Sequence, residues 1–291
     1  MTTAADDYDR LRMRELKDFD DSKIGVRGLV ESGAATIPRF FHHPPENLGP
    51  ARPPTALSVP TLDLSDLNTD RRSAVVRRIA DAARTWGFFQ ITNHGIPQSV
   101  IDATIAAVRS FNEQPLAVRS QHYCRGRERS VEYNTNYDLF RSKAASWRDT
   151  MQVRTGIEGF EAESIPEICR REVVAWDEEV RKVAEAVMEV LSEGLGLERG
   201  RLEEMSCLEG RTVVAHYYPY CPEADRTVGI GAHRDPSALT VLVQNEIRGL
   251  EVKHGEDWVE VVPTSGALVV NVGDLLQVSF LINIASCLIQ L

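Results

Sequence analysis

The residues best suited to do chemistry are His233 and Asp235, an H-x-D pair set in Gly229-Ile230-Gly231-Ala232-His233-Arg234-Asp235-Pro236-Ser237. On an extended chain, residues two apart point to the same side, so an imidazole and a carboxylate can grip one ion. Together they supply two donors of the two-histidine, one-carboxylate facial set that suits Fe(II) with open coordination positions. The third donor should be a histidine further along, yet none follows His254. Taken alone, H-x-D is a weak signal, because a surface Asp beside a polar His produces it by chance. The setting strengthens it: a β-prone run precedes the pair, Gly229 and Gly231 permit close backbone approach, and Pro236-Ser237 turns the chain.

The elements that must position this pair are short runs of β-branched and aromatic residues at 212–218, 238–243, 250–253, 258–262 and 267–272. Earlier segments read mostly as helices. Val75, Val76, Ile79, Ala83 and Trp86 share one helical face after the cap candidates Asn68-Thr69. Ile101, Ile105, Val108 and Phe111 share another after Pro97, and Trp176, Val180, Val183, Val187 and Leu191 share a third in a long helix from Glu172. Strands are predicted at 59–64 and 88–92, and 115–155 reads as a polar stretch. Residues 1–57 read as a loosely structured arm ending in a Pro-rich run. Helices first and short strands later predict an α+β fold, with an α-rich support around a β-barrel-like core.

Composition narrows the function. The 291 residues are 43% hydrophobic, enough to bury a large core as one or two domains, and carry a net charge of −10. That charge argues against nucleic acid, since phosphate binding needs a basic face. Cys124, Cys169, Cys207, Cys221 and Cys287 are scattered without metal-type spacing and read as thiols of a reducing compartment. The polar, acid-rich N-terminus has no leader-like apolar run, and 275–291 is too short and polar for a membrane span. The expectation is a cytoplasmic protein without a membrane partner.

Longer blocks carry a family likeness. Val59-Pro60-Thr61-Leu62-Asp63-Leu64 and Trp86-Gly87-Phe88-Phe89-Gln90-Ile91-Thr92-Asn93-His94-Gly95-Ile96-Pro97 resemble the N-terminal region of plant-type 2-oxoglutarate/Fe(II)-dependent dioxygenases. Tyr217-Tyr218-Pro219-Tyr220-Cys221-Pro222 and Gly266-Ala267-Leu268-Val269-Val270-Asn271-Val272-Gly273-Asp274 resemble blocks of their catalytic core. Phe19-Asp20-Asp21-Ser22-Lys23, Gly25-Val26-Arg27-Gly28-Leu29-Val30, Ile37-Pro38-Arg39-Phe40 and Trp147-Arg148-Asp149-Thr150 resemble the branch of aminocyclopropane-carboxylate oxidase homologues, which includes benzoxazinoid-glucoside dioxygenases.

The resemblance implies a double-stranded β-helix, or jelly roll, with Fe(II) at its mouth. His233 and Asp235 map onto the first two metal ligands, and Tyr218 onto the tyrosine that hydrogen-bonds 2-oxoglutarate. It further implies a monomer using 2-oxoglutarate as cosubstrate, O2, ascorbate as reductant and a small specialised metabolite as substrate. Its domains would be an N-terminal arm over 1–57, an α-rich region over 58–205, an incomplete jelly roll over 206–277 and an apolar tail over 278–291. Three departures stand out. His216 replaces a common Asn, and Arg234 replaces a common Thr and should point away from its two neighbours. After Gln277 the text resembles neither the family's E-H-R block nor its R-x-S block, so the second metal histidine and the cofactor arginine are missing. That reads as a C-terminally truncated or mis-spliced member, lacking closing strands and impaired in activity. His254 is expected exposed in a turn, and His94 and His122 in core or surface roles. Two other readings stay open: a non-catalytic binding module of the same descent, and a zinc-binding cupin, which lacks a three-residue ligand set.

Overall fold

The computed structural model describes residues 4–48, 56–126, 129–156, 160–279 and 288–291. In chain order the helices are α1 (Ala4–Ser22), α2 (Gly25–Glu31), α3 (Pro45–Leu48), α4 (Arg72–Thr85), α5 (Gln98–Asn112), α6 (Leu116–His122), α7 (Glu167–Gly194), α8 (Arg201–Glu204) and α9 (Asp274–Ser279). The strands are β1 (Thr61–Asp63), β2 (Phe88–Thr92), β3 (Val131–Asn134), β4 (Asp149–Thr155), β5 (Arg211–Tyr217), β6 (Leu239–Leu242), β7 (Glu251–His254), β8 (Asp257–Glu260), β9 (Leu268–Val272) and β10 (Ile289–Gln290). Contacts gather the chain into two compact units interleaved in sequence. The first takes residues 1–52, 106–171 and 212–231, and the second 53–105, 172–211 and 232–291.

In the first unit, β3, β4 and β5 form one sheet. The described part of the arm is not loose but largely helical and packed, and most of its Pro-rich end, 49–55, lies outside the described residues. Leu16 and Phe19 of α1 are buried with Val26, Phe40, Phe41 and Trp147. Phe19 and Phe40 have ring centroids 5.3 Å apart, and Phe41 meets Trp147 edge-on at 5.0 Å. Leu16 and Phe19 lie three apart, one helical turn, so a mostly polar sequence still presents an apolar stripe. The start of α2 is tied down across the sequence. Asp149 accepts hydrogen bonds at 2.8 Å from the backbone amides of both Val26 and Arg27, and at 2.5 Å from the Thr135 hydroxyl. Gly25 precedes those amides at φ +66°, where an added Cβ would lie 2.8 Å from the same carboxylate. The stretch at 115–155 contains α6, β3 and β4, because its polar groups bond to one another rather than to water. Asn136, for example, exchanges hydrogen bonds with the backbone of Ser146.

In the second unit, one sheet runs β1-β2-β9-β6 and another β10-β7-β8. β1 and β2 are parallel, whereas β9 runs antiparallel to both β2 and β6. β9 is buried along its whole length, which its unbroken run Leu268-Val269-Val270-Asn271-Val272 anticipates. Val59, Phe88, Leu250, Val252, Val259, Val261, Val269 and Ile289 form one core cluster. The long helix α7, which belongs to this unit from Glu172 on, begins at Glu167 rather than Glu172, with Val173, Trp176, Val183, Val187 and Leu191 buried on one face. Beyond the undescribed residues 280–287, β10 pairs antiparallel with β7, Ile289 opposite Val252 and Gln290 opposite Glu251.

Candidate metal centre

The H-x-D pair lies just ahead of β6 and outside any regular strand; His233 makes an isolated antiparallel bridge with Ile289. The extended alternation still holds. Arg234 is exposed, as expected, while His233 and Asp235 are half-buried on the other side. His233 Nε2 stands 3.4 Å from Asp235 Oδ1. The second carboxylate oxygen is fixed by two donors: the Thr240 hydroxyl at 2.6 Å and the Asn271 side-chain amide at 3.0 Å. Burial alone would raise the Asp235 carboxyl, but bonds from His233, Thr240 and Asn271 outweigh it and hold the group at about 2. The result is an ionised carboxylate, aimed and partly desolvated beside an imidazole.

Register explains the aim. Thr240 on β6 and Asn271 on β9 are direct cross-strand partners, so their side chains lie together on one face of the sheet. The backbone after β9 then grips the ligand loop. Gly273 N donates to Ala238 O at 3.0 Å, and Asp274 N donates to Asp235 O at 2.8 Å. A Cβ at Gly273 would sit 2.0 Å from the Ser237 carbonyl oxygen, so only glycine permits this approach. Asn271, Gly273 and Asp274 lie in a family-like block whose sequence marks no role for them, and nothing in the sequence sets Thr240 apart from its strand.

The other histidines serve elsewhere. His254 is half-buried at the end of β7, stacked on Trp86 with centroids 3.9 Å apart, which corrects its expected exposure. His94 bonds through Nε2 to the Gly266 carbonyl at 2.8 Å and accepts from Ile96 N through Nδ1. His122 packs edge-on to Phe111, and burial lowers its pKa. Among the described residues, no group of three or more His, Cys, Asp or Glu could hold a metal ion. Two donors fit an Fe(II) site, and the donor set as a whole does not.

Tyr218 belongs to the first unit and follows β5 directly. Its ring is partly exposed, yet burial of the hydroxyl end pushes it up to about 12, with the Arg148 guanidinium pulling the other way. His216, two residues earlier, has Nδ1 2.9 Å from the Thr150 hydroxyl, and its ring lies 6.0 Å from that of Tyr218. Arg148 is buried, with Nη1 donating to the Gly229 carbonyl at 2.9 Å.

Residues 59–168 match the model of the N-terminal region of the non-haem dioxygenases of morphine synthesis, and 210–281 that of the 2OG-Fe(II) oxygenase superfamily. The chain is 44% identical to 1-aminocyclopropane-1-carboxylate oxidase homolog 1 of Arabidopsis thaliana, over 90% of this chain and 73% of that protein. The chain belongs to the plant 2-oxoglutarate/Fe(II)-dependent oxygenase family. Deacetoxyvindoline 4-hydroxylase of Catharanthus roseus is another such relative, 40% identical over 91% of this chain and 68% of its own length. A crystal structure of JOX2 in complex with 2OG, Fe and JA is similar at 26% identity and a TM-score of 0.81, covering 91% of this chain and 78% of that one. The core of this oxygenase is therefore the double-stranded β-helix of its family, in an α+β setting. No helix among the described residues is long and apolar enough to cross a membrane.

Proposed function

We propose that this oxygenase descends from enzymes that oxidise a small plant specialised metabolite with 2-oxoglutarate and O2, and that the 291-residue polypeptide itself binds iron weakly and turns over little. His233 and Asp235 are the proposed iron ligands, Tyr218 the proposed hydrogen-bond donor to a 2-oxoglutarate carboxylate, and ascorbate the reductant that keeps iron ferrous. A cytoplasmic monomer is the proposed setting. Relatives named for small molecules, such as a deacetoxyvindoline 4-hydroxylase, support the substrate class. One observation carries the reading: the Asp235 carboxylate is held by Thr240 and Asn271 and aimed beside His233, an arrangement suited to a cation, yet no third donor joins it among the described residues. That missing donor also supports a second reading, a non-catalytic binding module on the same scaffold.

Succinate release separates the two. The purified chain, supplied with Fe(II), ascorbate, 2-oxoglutarate and O2, should release succinate no faster than its His233→Ala variant. Robust release that depends on His233 and Asp235 would establish a working enzyme and overturn the weak-iron proposal.

A further inference from the structure

We infer that Ile289 stands in the third facial position of the His233–Asp235 pair, so that one histidine placed there completes a three-donor site for a divalent transition-metal ion. The inference rests on His233 and Asp235 being the metal pair. His233 and Ile289 exchange both backbone hydrogen bonds: His233 N donates to Ile289 O at 3.0 Å, and Ile289 N to His233 O at 2.9 Å. Residues that exchange both bonds in an antiparallel pair are directly opposite, with Cα atoms about 5.5 Å apart and side chains on one face. At that separation two imidazoles can converge on one ion with metal–nitrogen distances of about 2.1 Å.

The interior faces agree. Ile289 packs in the same cluster as Val269, and Val269 lies two residues from Asn271, hence on the same side of β9. Asn271 in turn donates to Asp235. The side chains of Ile289, Asn271, Asp235 and His233 therefore approach one region from three backbone segments. What occupies the third corner is a branched alkyl group without a donor atom.

The position is also fixed rather than adjustable. On its far side β10 is locked to β7: Ile289 pairs with Val252, and Lys253 N donates to Leu288 O at 2.8 Å. Gln290, pointing to the opposite face, bonds to Glu251 at 2.6 Å. A slip of one residue would bury Gln290 and expel Ile289, which the apolar cluster opposes. Position 289 is thus the one on β10 whose side chain is presented to the pair.

The test is anaerobic Co(II) titration of the full chain, read by calorimetry and by the visible ligand-field bands of bound Co(II). Ile289→His should bind on the order of 100-fold tighter than the parent. That gain should vanish in the double variants with His233→Ala or Asp235→Ala, and Gln290→His should show none. Because a histidine in this core risks unfolding the chain, Ile289→Cys is a second probe, smaller than isoleucine. Its thiolate should give a sulfur-to-Co(II) charge-transfer band only if position 289 reaches the ion. A folded Ile289→His that binds no tighter than the parent, together with an Ile289→Cys lacking that band, overturns the inference. If instead the gain survives loss of His233 and Asp235, the pair is not the metal site and the underlying reading fails.

Discussion

Asp235 shows how much of a candidate metal site lies outside the two residues proposed as its donors. Its carboxylate is kept ionised and oriented by Thr240 and Asn271, whose donors reach one oxygen and leave the other beside His233. Because its folded-state pKa lies below the unfolded value of about 3.9, the stabilisation is fully present above that value and is lost as pH falls through about 2. The depression is worth about 2–3 kcal/mol. Asn271→Leu removes one donor, so we expect a loss of about 1–2 kcal/mol at pH 7 and a smaller acid-dependent component. Urea unfolding of the metal-free protein, stepped down from pH 5, measures both; an unchanged pH profile would show that Asn271 does not hold the carboxylate. His233 and Asp235 were legible in the sequence because their spacing is local. Thr240 and Asn271 were not, since they meet only through strand register.

At the scale of elements, the Gly273-Asp274 turn acts as a clasp on the ligand loop. Its amides bond to the Asp235 and Ala238 carbonyls, and Gly273 has no room for a side chain. Gly273→Ala should therefore destabilise the protein by about 2–4 kcal/mol, read as a lower urea midpoint, and weaken any metal binding because the loop must move. A neutral effect would mean that the loop tolerates displacement. Asp149 plays a comparable part for the arm, closing the first turn of α2 from far along the chain. Asp149→Ala leaves two amides and a hydroxyl without their acceptor in a buried place, and a loss of about 3 kcal/mol or more is expected. Protease digestion of the arm then gives an independent check. The strands β1, β2 and β5 to β9 were legible as β-branched or apolar runs, each within one or two residues, whereas β3, β4 and β10 were not. The arm was not, because its polar composition hides an apolar stripe whose partners, such as Leu139 and Trp147, lie more than a hundred residues away.

For the whole molecule, sequence likeness and fold agree on the family, while no third donor joins His233 and Asp235 among the described residues. Relatives cover nearly the full chain, and each compact unit has its own buried core. Ligand that binds only the folded state raises stability by RT ln(1 + [L]/Kd), so a site lacking a donor should be thermally silent. We expect the melting temperature of the parent chain to ignore Co(II) at concentrations that raise it in Ile289→His, with a shift in both proteins contradicting the account. The likeness of long blocks made the architecture readable before any coordinate. What the sequence could not display was the residue in the third ligand's place, because Ile289 reaches it through pairing with His233 and β7. The most direct test is the visible charge-transfer absorbance that forms when 2-oxoglutarate chelates protein-bound Fe(II) without oxygen. The account predicts no saturable band from the 291-residue chain at Fe(II) concentrations matching the protein, and a stoichiometric band that disappears in His233→Ala would contradict it.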